Sequence, residues 1–316
     1  MSDSAVAARS PAGAPARAPV RRSAAALRIE EQPGFVLHTY PWRESSLIVE
    51  ALTRDHGRVA LVARGAKRPT SQFRGLLSPF CPLQLSWSGR NDIKSLIRVE
   101  WGGGLAPLRG GGLLAAFYLN ELLVRLLARA DPHEALFLAY ARALHALARD
   151  GGADFVARAT AGRTTAASTV RAAHESVAVA FDAAIEDAAS TSAHAAPHRA
   201  ANAALNVVVN AALRTFEIDL LREIGWLPAL DRCADGDLIV ANAVYRFDQN
   251  RGIERVHDRL DELCVGGATI QALARLDFAD VRAATESKTL LRQMIRCHLN
   301  GQPLNTRRIF HDLKQL

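Results

Sequence analysis

Between Arg64 and Arg74 the chain reads Arg64-Gly65-Ala66-Lys67-Arg68-Pro69-Thr70-Ser71-Gln72-Phe73-Arg74, four cations and one aromatic among hydroxyl and amide groups. The Gly and Pro argue against regular structure, so the stretch reads as a loop. Cations neutralise phosphates and release counterions, while aromatic faces stack on bases of any identity. Such a loop suits an anionic polymer. The plain alternative is a solvated loop whose Phe73 is buried. Arg43, Arg58, Arg90, Lys94 and Arg98 lie in the same region and extend the candidate set. Trp42, between Pro41 and Arg43, is the candidate stacker, whereas Trp87 shares the alternation of Leu83 and Leu85 and is assigned to the core. Arg307 and Arg308 form a second basic pair near the carboxyl end.

Other chemistry has little to stand on. The chain holds no GxSxG, HExxH, GxxxxGK[ST] or GxGxxG pattern, and no paired acidic motif of nuclease type. His194 and His198 are spaced i, i+4 but lie in low-complexity sequence without a third ligand. Asp231, Asp235 and Asp237 resemble a calcium loop only superficially, without its closing Glu. Four cysteines (Cys81, Cys233, Cys264, Cys297) are far apart, with no CxxC pair. They suggest a reducing compartment rather than a disulfide framework. The expectation is a non-enzymatic protein without metal or cofactor.

Charge sharpens the first signal. The net charge is +7. Residues 34–101 carry ten Lys/Arg against five Asp/Glu, and residues 288–316 carry six against one. Positive charge at both ends of the expected folded region points to an anionic partner, most simply nucleic acid, with an unpartnered basic surface as the alternative. Hydrophobic residues make up 49% of the chain, enough for a core, and aromatics only 6%, so that core must be largely aliphatic. No apolar run reaches the roughly 18–20 residues of a membrane span.

These residues need elements to hold them. Residues 1–33 are rich in Ala, Arg, Pro and Ser and read as a disordered tail; a transit peptide has similar composition, but a secretory signal would need an apolar region that is missing. From Gly34 the pattern is that of strands. Phe35, Leu37 and Thr39 alternate, then Leu47, Val49 and Ala51, then Val59, Leu61 and Ala63, then Leu83, Leu85 and Trp87, then Ile93 to Trp101. Five short strands separated by turn signals over residues 34–104 predict a small closed barrel, most economically an OB-fold. Gly102-Gly103-Gly104 and Gly110-Gly111-Gly112 are read as a hinge.

Residues 105–316 read as a mainly α-helical domain, making the whole an α+β multidomain chain. Leu119, Leu122, Leu123, Leu126 and Leu127 form one apolar face. Asp131 with Pro132 and Glu134 predicts a helix start. Leu213, Phe216, Leu220, Leu221 and Ile224 form another stripe, stopped by Gly225, and final helices are expected near Lys288–Leu299 and Leu304–Leu313. Residues 151–203, dominated by Ala, Thr, Ser and His, read as a partly disordered insertion with a weak helix over Val170–Ala188.

Several stretches together resemble the bacterial recombination mediators of the RecO family. They include Gly34-Phe35-Val36-Leu37, Arg43-Glu44-Ser45-Ser46, Thr53-Arg54-Asp55-His56-Gly57-Arg58 and Ala63-Arg64-Gly65-Ala66-Lys67-Arg68. Phe73-Arg74-Gly75-Leu76-Leu77-Ser78-Pro79-Phe80, Tyr118-Leu119-Asn120-Glu121-Leu122, Phe216–Gly225 and Gly301–Arg308 follow in the same order, covering about residues 34–150 and 204–316. The resemblance implies an OB-fold followed by a helical domain, with no turnover. It implies binding of single- and double-stranded DNA, annealing of complementary strands, and association with RecR and the carboxyl tail of single-strand-binding protein. It also implies help, with RecR, in loading RecA onto coated DNA, in a cytoplasmic, nucleoid-associated setting.

Some family members carry four zinc cysteines; here only Cys233 and Cys264 stand near such positions, and two of four ligands cannot close a structural site. The competing reading from the residues is an adaptor whose helices bind a partner's hydrophobic tail, with DNA contact incidental.

Overall fold

A computed structural model describes residues 27–149, 196–257 and 263–306. Five strands close the amino-terminal barrel: β1 (Arg28–Trp42), β2 (Ser46–Thr53), β3 (Gly57–Ala63), β4 (Pro82–Ser88) and β5 (Ile93–Trp101). Their order around the barrel is β1-β2-β3-β5-β4, with β4 returning to β1 and β3 pairing parallel to β5. Closure of this five-stranded Greek-key sheet is the OB-fold arrangement and leaves no long free edge.

β1 starts at Arg28, six residues before the Gly34 expected from the pattern. Its first half pairs with β4 (Arg28 opposite Ser88, Ile29 opposite Trp87) and its second half with β2. Register shifts between Ile29 and Gln32, together with a left-handed Glu31 (φ 51°), break the alternation that marks a strand in sequence. A second shift lies between Val36 and His38, and before it the ordinary alternation of β1 sends neighbouring residues towards different cores. Val36 fills the barrel with Val49, Val59, Leu61, Leu85 and Trp87. Phe35 and Leu37 instead enter the larger core of the helical region, where Phe35 meets the rings of Phe137 and Tyr140 at 5.4 and 5.2 Å.

Five helices are described: α1 (Gly110–Leu126), α2 (Glu134–Arg149), α3 (Ala196–Glu223), α4 (Gly267–Ala274) and α5 (Val281–His298). Of the two expected stripes, Leu119, Leu122, Leu123 and Leu127, and Phe216, Leu220 and Leu221, are buried, and Leu126, Leu213 and Ile224 pack half-buried against the same core. Three expectations are corrected here. Gly110–Gly112 open α1 rather than forming a hinge, and a Cβ on Gly112 would lie 2.7 Å from the Leu147 carbonyl oxygen, so close helix packing needs that glycine. Asp131 does not cap α2, which starts at Glu134; its backbone is pressed against Gly57 instead. The helix expected from Lys288 begins earlier, at Val281, where the Asp280 side chain accepts the Ala283 N–H at 2.7 Å.

A small antiparallel sheet that the sequence pattern did not reveal lies between α3 and α4: β6 (Val244–Asp248), β7 (Gly252–Val256) and β8 (Val265–Gly266), in the order β7-β6-β8. Cys233 and Cys264 are buried thiols in this part of the chain. The Val170–Ala188 helix, the rest of the expected tail and most of the 151–203 insertion lie outside the described residues, as does the Leu304–Leu313 helix beyond Thr306.

Two polar junctions fix the barrel against the helices. Asn120 on α1 donates to the Leu37 carbonyl at 2.8 Å and accepts from the Tyr140 hydroxyl at 2.5 Å. Glu50, 1% exposed on β2, takes Arg58 at 3.0 Å and also Arg129, while Arg58 Nε donates to the Leu127 carbonyl at 3.1 Å. A buried carboxylate is tolerable only when paired and hydrogen-bonded, so these two guanidiniums are required by the fold.

Candidate nucleic-acid interface

The basic loop after β3 is not a free loop. Arg68 N–H bonds the Gly65 carbonyl, Ser71 that of Arg68, Arg74 that of Ser71 and Leu76 that of Phe73, each three residues apart, so the chain winds in successive tight turns. Gly65 takes φ +68°, a left-handed conformation that glycine adopts without strain. Lys67 N–H reaches the Ser45 carbonyl at 2.9 Å, tying the loop to the β1–β2 turn, and Gln72 Nε2 donates to the Ile97 carbonyl at 3.3 Å. Phe73 is 6% exposed and belongs to the barrel core. It anchors the loop and is not a stacking surface. The result is a braced loop that holds Arg64, Lys67, Arg68 and Arg74 in solvent.

Beside it lies a cleft of about 770 Å³ lined by Trp42, Arg43, Ile48, Val62, Arg64 and Arg68, among others. Trp42 is 44% exposed at the end of β1, and Arg43 follows it in the left-handed region (φ 53°), turning the chain into β2. The fold thus brings together Trp42, Arg43, Arg64 and Arg68, with Lys67 and Arg74 on the adjoining loop. Arg43, Arg64, Lys67 and Arg68 have no ion-pair partner among the described residues. Arg90 is exposed in the β4–β5 turn and Lys94 is half-buried on β5. In this fold class the exposed face of strands 2 and 3 and the loops joining strands 1–2 and 4–5 bind oligonucleotides, and Arg43 and Arg90 stand on those two loops.

Two of the expected cations differ from the rest. Arg58 is committed to Glu50 and Leu127, with a side chain 13% exposed, and belongs to the barrel–helix junction rather than the open surface. Arg98 is paired with Glu100 on β5. Net charge cannot separate a guanidinium held by a buried carboxylate from one left for solvent. Arg307 and Arg308 lie outside the described residues. The segment leading to them is held on α1, where Glu121 accepts from Asn305 N–H at 2.7 Å, Thr306 N–H at 2.9 Å and the Thr306 hydroxyl at 2.7 Å.

Sequence reasoning missed Tyr40. It is 40% exposed, two residues before Trp42 on the same side of β1, and the His38 ring packs edge-on against it at 4.4 Å. The signal was the spacing His38, Tyr40, Trp42, which becomes the outward face only after the register shift at Val36–His38.

Away from the barrel, the most perturbed groups are internal. Burial pushes the Tyr118 hydroxyl and the Glu217 carboxyl upward, with the Arg214 guanidinium working against both shifts. Tyr118 donates to Glu217 at 2.6 Å and Arg214 pairs with the same oxygen at 2.8 Å, joining α1 to α3. No group of three or more His, Cys, Asp or Glu among the described residues is arranged to hold a metal ion. No described helix is long and apolar enough to cross a membrane.

A closed five-stranded barrel with a cation-rimmed aromatic cleft, set on a helical domain, defines a protein of the OB-fold nucleic-acid-binding class. The matches to known proteins agree. Residues 27–104 match the family described as Recombination protein O N terminal, and residues 110–162 and 202–308 match Recombination protein O C terminal. The chain is 39% identical over 307 residues to the DNA repair protein RecO of Ralstonia nicotianae, covering 96% of this chain and 92% of that protein. It is 38% identical to the protein of the same name from Paraburkholderia xenovorans (96% and 85% covered) and 39% identical to that of Aromatoleum aromaticum (92% and 98% covered). The chain belongs to the RecO family of DNA repair and recombination proteins.

Proposed function

We propose that this chain is a recombination mediator without catalytic turnover, which binds single-stranded DNA through the barrel and anneals complementary strands. The observation that supports this most is the group of cations Arg43, Arg64, Lys67 and Arg68, without ion-pair partners among the described residues, set on the braced loop and about the Trp42 cleft. Backbone contacts of this kind carry no base information, so binding is independent of sequence. Neutralising two strands on one surface lowers their repulsion and leaves base edges free to pair, which is the physical requirement for annealing. Arg74, Arg90, Lys94 and, beyond the described residues, Arg307 and Arg308 extend the track for single- or double-stranded DNA; Arg98 joins it when released from Glu100.

By its family, the chain works with RecR and with the tail of single-strand-binding protein, and through them assists RecA loading, in the cytoplasm at the nucleoid. Complementary strands coated with single-strand-binding protein, mixed with and without the chain at several salt concentrations, test the proposal. Salt-sensitive acceleration of annealing without ATP or metal is the expected result. Tight binding to the protein tail without acceleration would favour an adaptor, and metal-dependent cleavage of the DNA would reveal an enzyme.

A further inference from the structure

We propose that Glu121 on α1 is a positioning residue, which pins the chain at Asn305 and Thr306 so that Arg307 and Arg308 join the barrel in one DNA-binding track. The inference rests on the DNA reading above and adds the device that brings the second basic stretch of the sequence to the first. After α5 the chain reverses through Asn300 (φ 51°) and Gly301 (φ 74°), whose N–H groups return to the Cys297 and Arg296 carbonyls. It then runs onto α1 and is held there at each step. Arg125 donates to the Pro303 carbonyl at 3.1 Å, and Leu304 packs against the core of the helical region. Glu121 accepts from the N–H groups of Asn305 and Thr306 and from the Thr306 hydroxyl. Arg125 also pairs with Glu121 at 3.1 Å.

The filling of the carboxylate separates this latch from an ordinary ion pair. A carboxylate offers about four lone-pair sites. Asn305 N–H and Arg125 take Oε1, while the N–H and hydroxyl of Thr306 take Oε2, so all four are used. Glu121 therefore holds the backbone without claiming the guanidiniums that follow in the sequence. Glu50 does the reverse, and consumes Arg58. Covalent geometry lets each further residue add at most about 3.6 Å, so pinning Thr306 limits where the next two residues can reach. The latch also stands close to the barrel. Six residues on from Glu121, about 9 Å along the helix axis, the Leu127 carbonyl accepts from Arg58 of β3. The two basic stretches, residues 34–101 and 288–316, thus approach each other at the end of α1. A loose segment would lose conformational entropy at each encounter with DNA, whereas a pinned one has lost it already on folding.

The test uses the full chain and four variants: Glu121→Ala, Thr306→Val, Arg307→Ala/Arg308→Ala, and Glu121→Ala combined with that pair. Each is titrated against an oligothymidylate, and the rate at which trypsin cuts after Arg308 is followed by mass spectrometry wherever Arg308 is kept. At about 0.1 M salt each phosphate neutralised on a single strand contributes about fivefold through counterion release, so losing both arginines should cost about 25-fold and flatten the log–log salt slope by about 1.4. Glu121→Ala should lose between about fivefold and that full amount, and adding it to the arginine pair should cost nothing more. Trypsin should cut Glu121→Ala faster than wild type. Thr306→Val removes one of the three hydrogen bonds and leaves α1 intact, so it should fall between the two in both readouts, and it decides the matter should Glu121→Ala fail to fold. Unchanged cutting, or faster cutting with unchanged DNA affinity, would overturn the proposal. So would a Glu121→Ala loss that adds in full to that of the arginine pair, because Glu121 would then act through the fold. If Arg307→Ala/Arg308→Ala binds like wild type, this inference fails while the barrel reading stands; a wild-type chain that binds no DNA sinks both.

Discussion

Replacing Arg58 by alanine should cost stability rather than DNA affinity, although charge counting places it among the DNA contacts. Arg58 Nη1 lies 3.0 Å from Glu50 Oε2, with the side chains 13% and 2% exposed, and its Nε donates to the Leu127 carbonyl at 3.1 Å. Breaking a fully buried pair by removing one partner costs about 3–5 kcal/mol. Here Arg129 stays on Glu50, and its side chain is 44% exposed, so solvent screens what remains. The expected loss is therefore about 2–3 kcal/mol. At about 2–4 °C per kcal/mol for chains of this order, the midpoint of thermal unfolding should fall by roughly 4–12 °C. Circular dichroism melts give that number. Fluorescence anisotropy with a labelled single strand, below both midpoints, should give a Kd within about twofold of wild type, whereas Lys67→Ala measured alongside should bind more weakly. An unchanged midpoint together with a DNA loss as large as that of Lys67→Ala would refute the assignment of Arg58 to the junction.

Two further outcomes follow from the same junction and from the small sheet. Gly57→Ala should destabilise the chain by at least about 2 kcal/mol in a denaturant titration, because Gly57 has φ +62° and a Cβ there would lie 1.8 Å from the Asp131 carbonyl oxygen. Asp248 accepts the backbone N–H groups of Asn250 at 2.8 Å and Arg251 at 3.0 Å, which holds its carboxyl below the usual range. A lowered folded pKa contributes stability above the ordinary carboxylate value, and that stability is lost as pH falls through the folded value. Asp248→Ala should thus be less stable than wild type at neutral pH, and thermal melts should show the gap closing below about pH 4. A gap that persists unchanged in acid would count against the Asp248 turn.

Much of the barrel was legible in the sequence because its strands are short, half-apolar and divided by turn residues. Val59, Leu61 and Ala63, or Leu83, Leu85 and Trp87, announce their inward face by period two. The start of β1 was hidden by its register shifts, since a bulge erases the very period that marks a strand. The sheet of β6 to β8 was missed because Tyr245-Arg246-Phe247 and Ile253-Glu254-Arg255 are brief alternations set in polar sequence. The basic loop was visible as composition, but its bracing by Ser45 and Ile97 is long-range and leaves no local trace. Arg58 was misplaced for the same reason, as its partners Glu50 and Leu127 are joined only by folding. The Tyr118–Asn120–Glu121 stretch shows the converse. Its three polar residues go to Glu217, to Leu37 and Tyr140, and to Asn305 and Thr306, so one short motif joins α3, the barrel and the chain beyond α5 to α1.

In the proposed function, the braced loop carries single-stranded DNA by neutralising its phosphates. The most direct measurement is the Kd for a single strand across a range of salt concentrations, in the wild-type chain and in the Lys67→Ala/Arg68→Ala/Arg74→Ala variant. With about five phosphates neutralised, the logarithm of affinity should fall against the logarithm of salt with a slope near −3 to −4, and the triple variant should reduce that slope by about 2 for every sequence alike. A flat salt response in the wild type, or an unchanged slope in the variant, would contradict it.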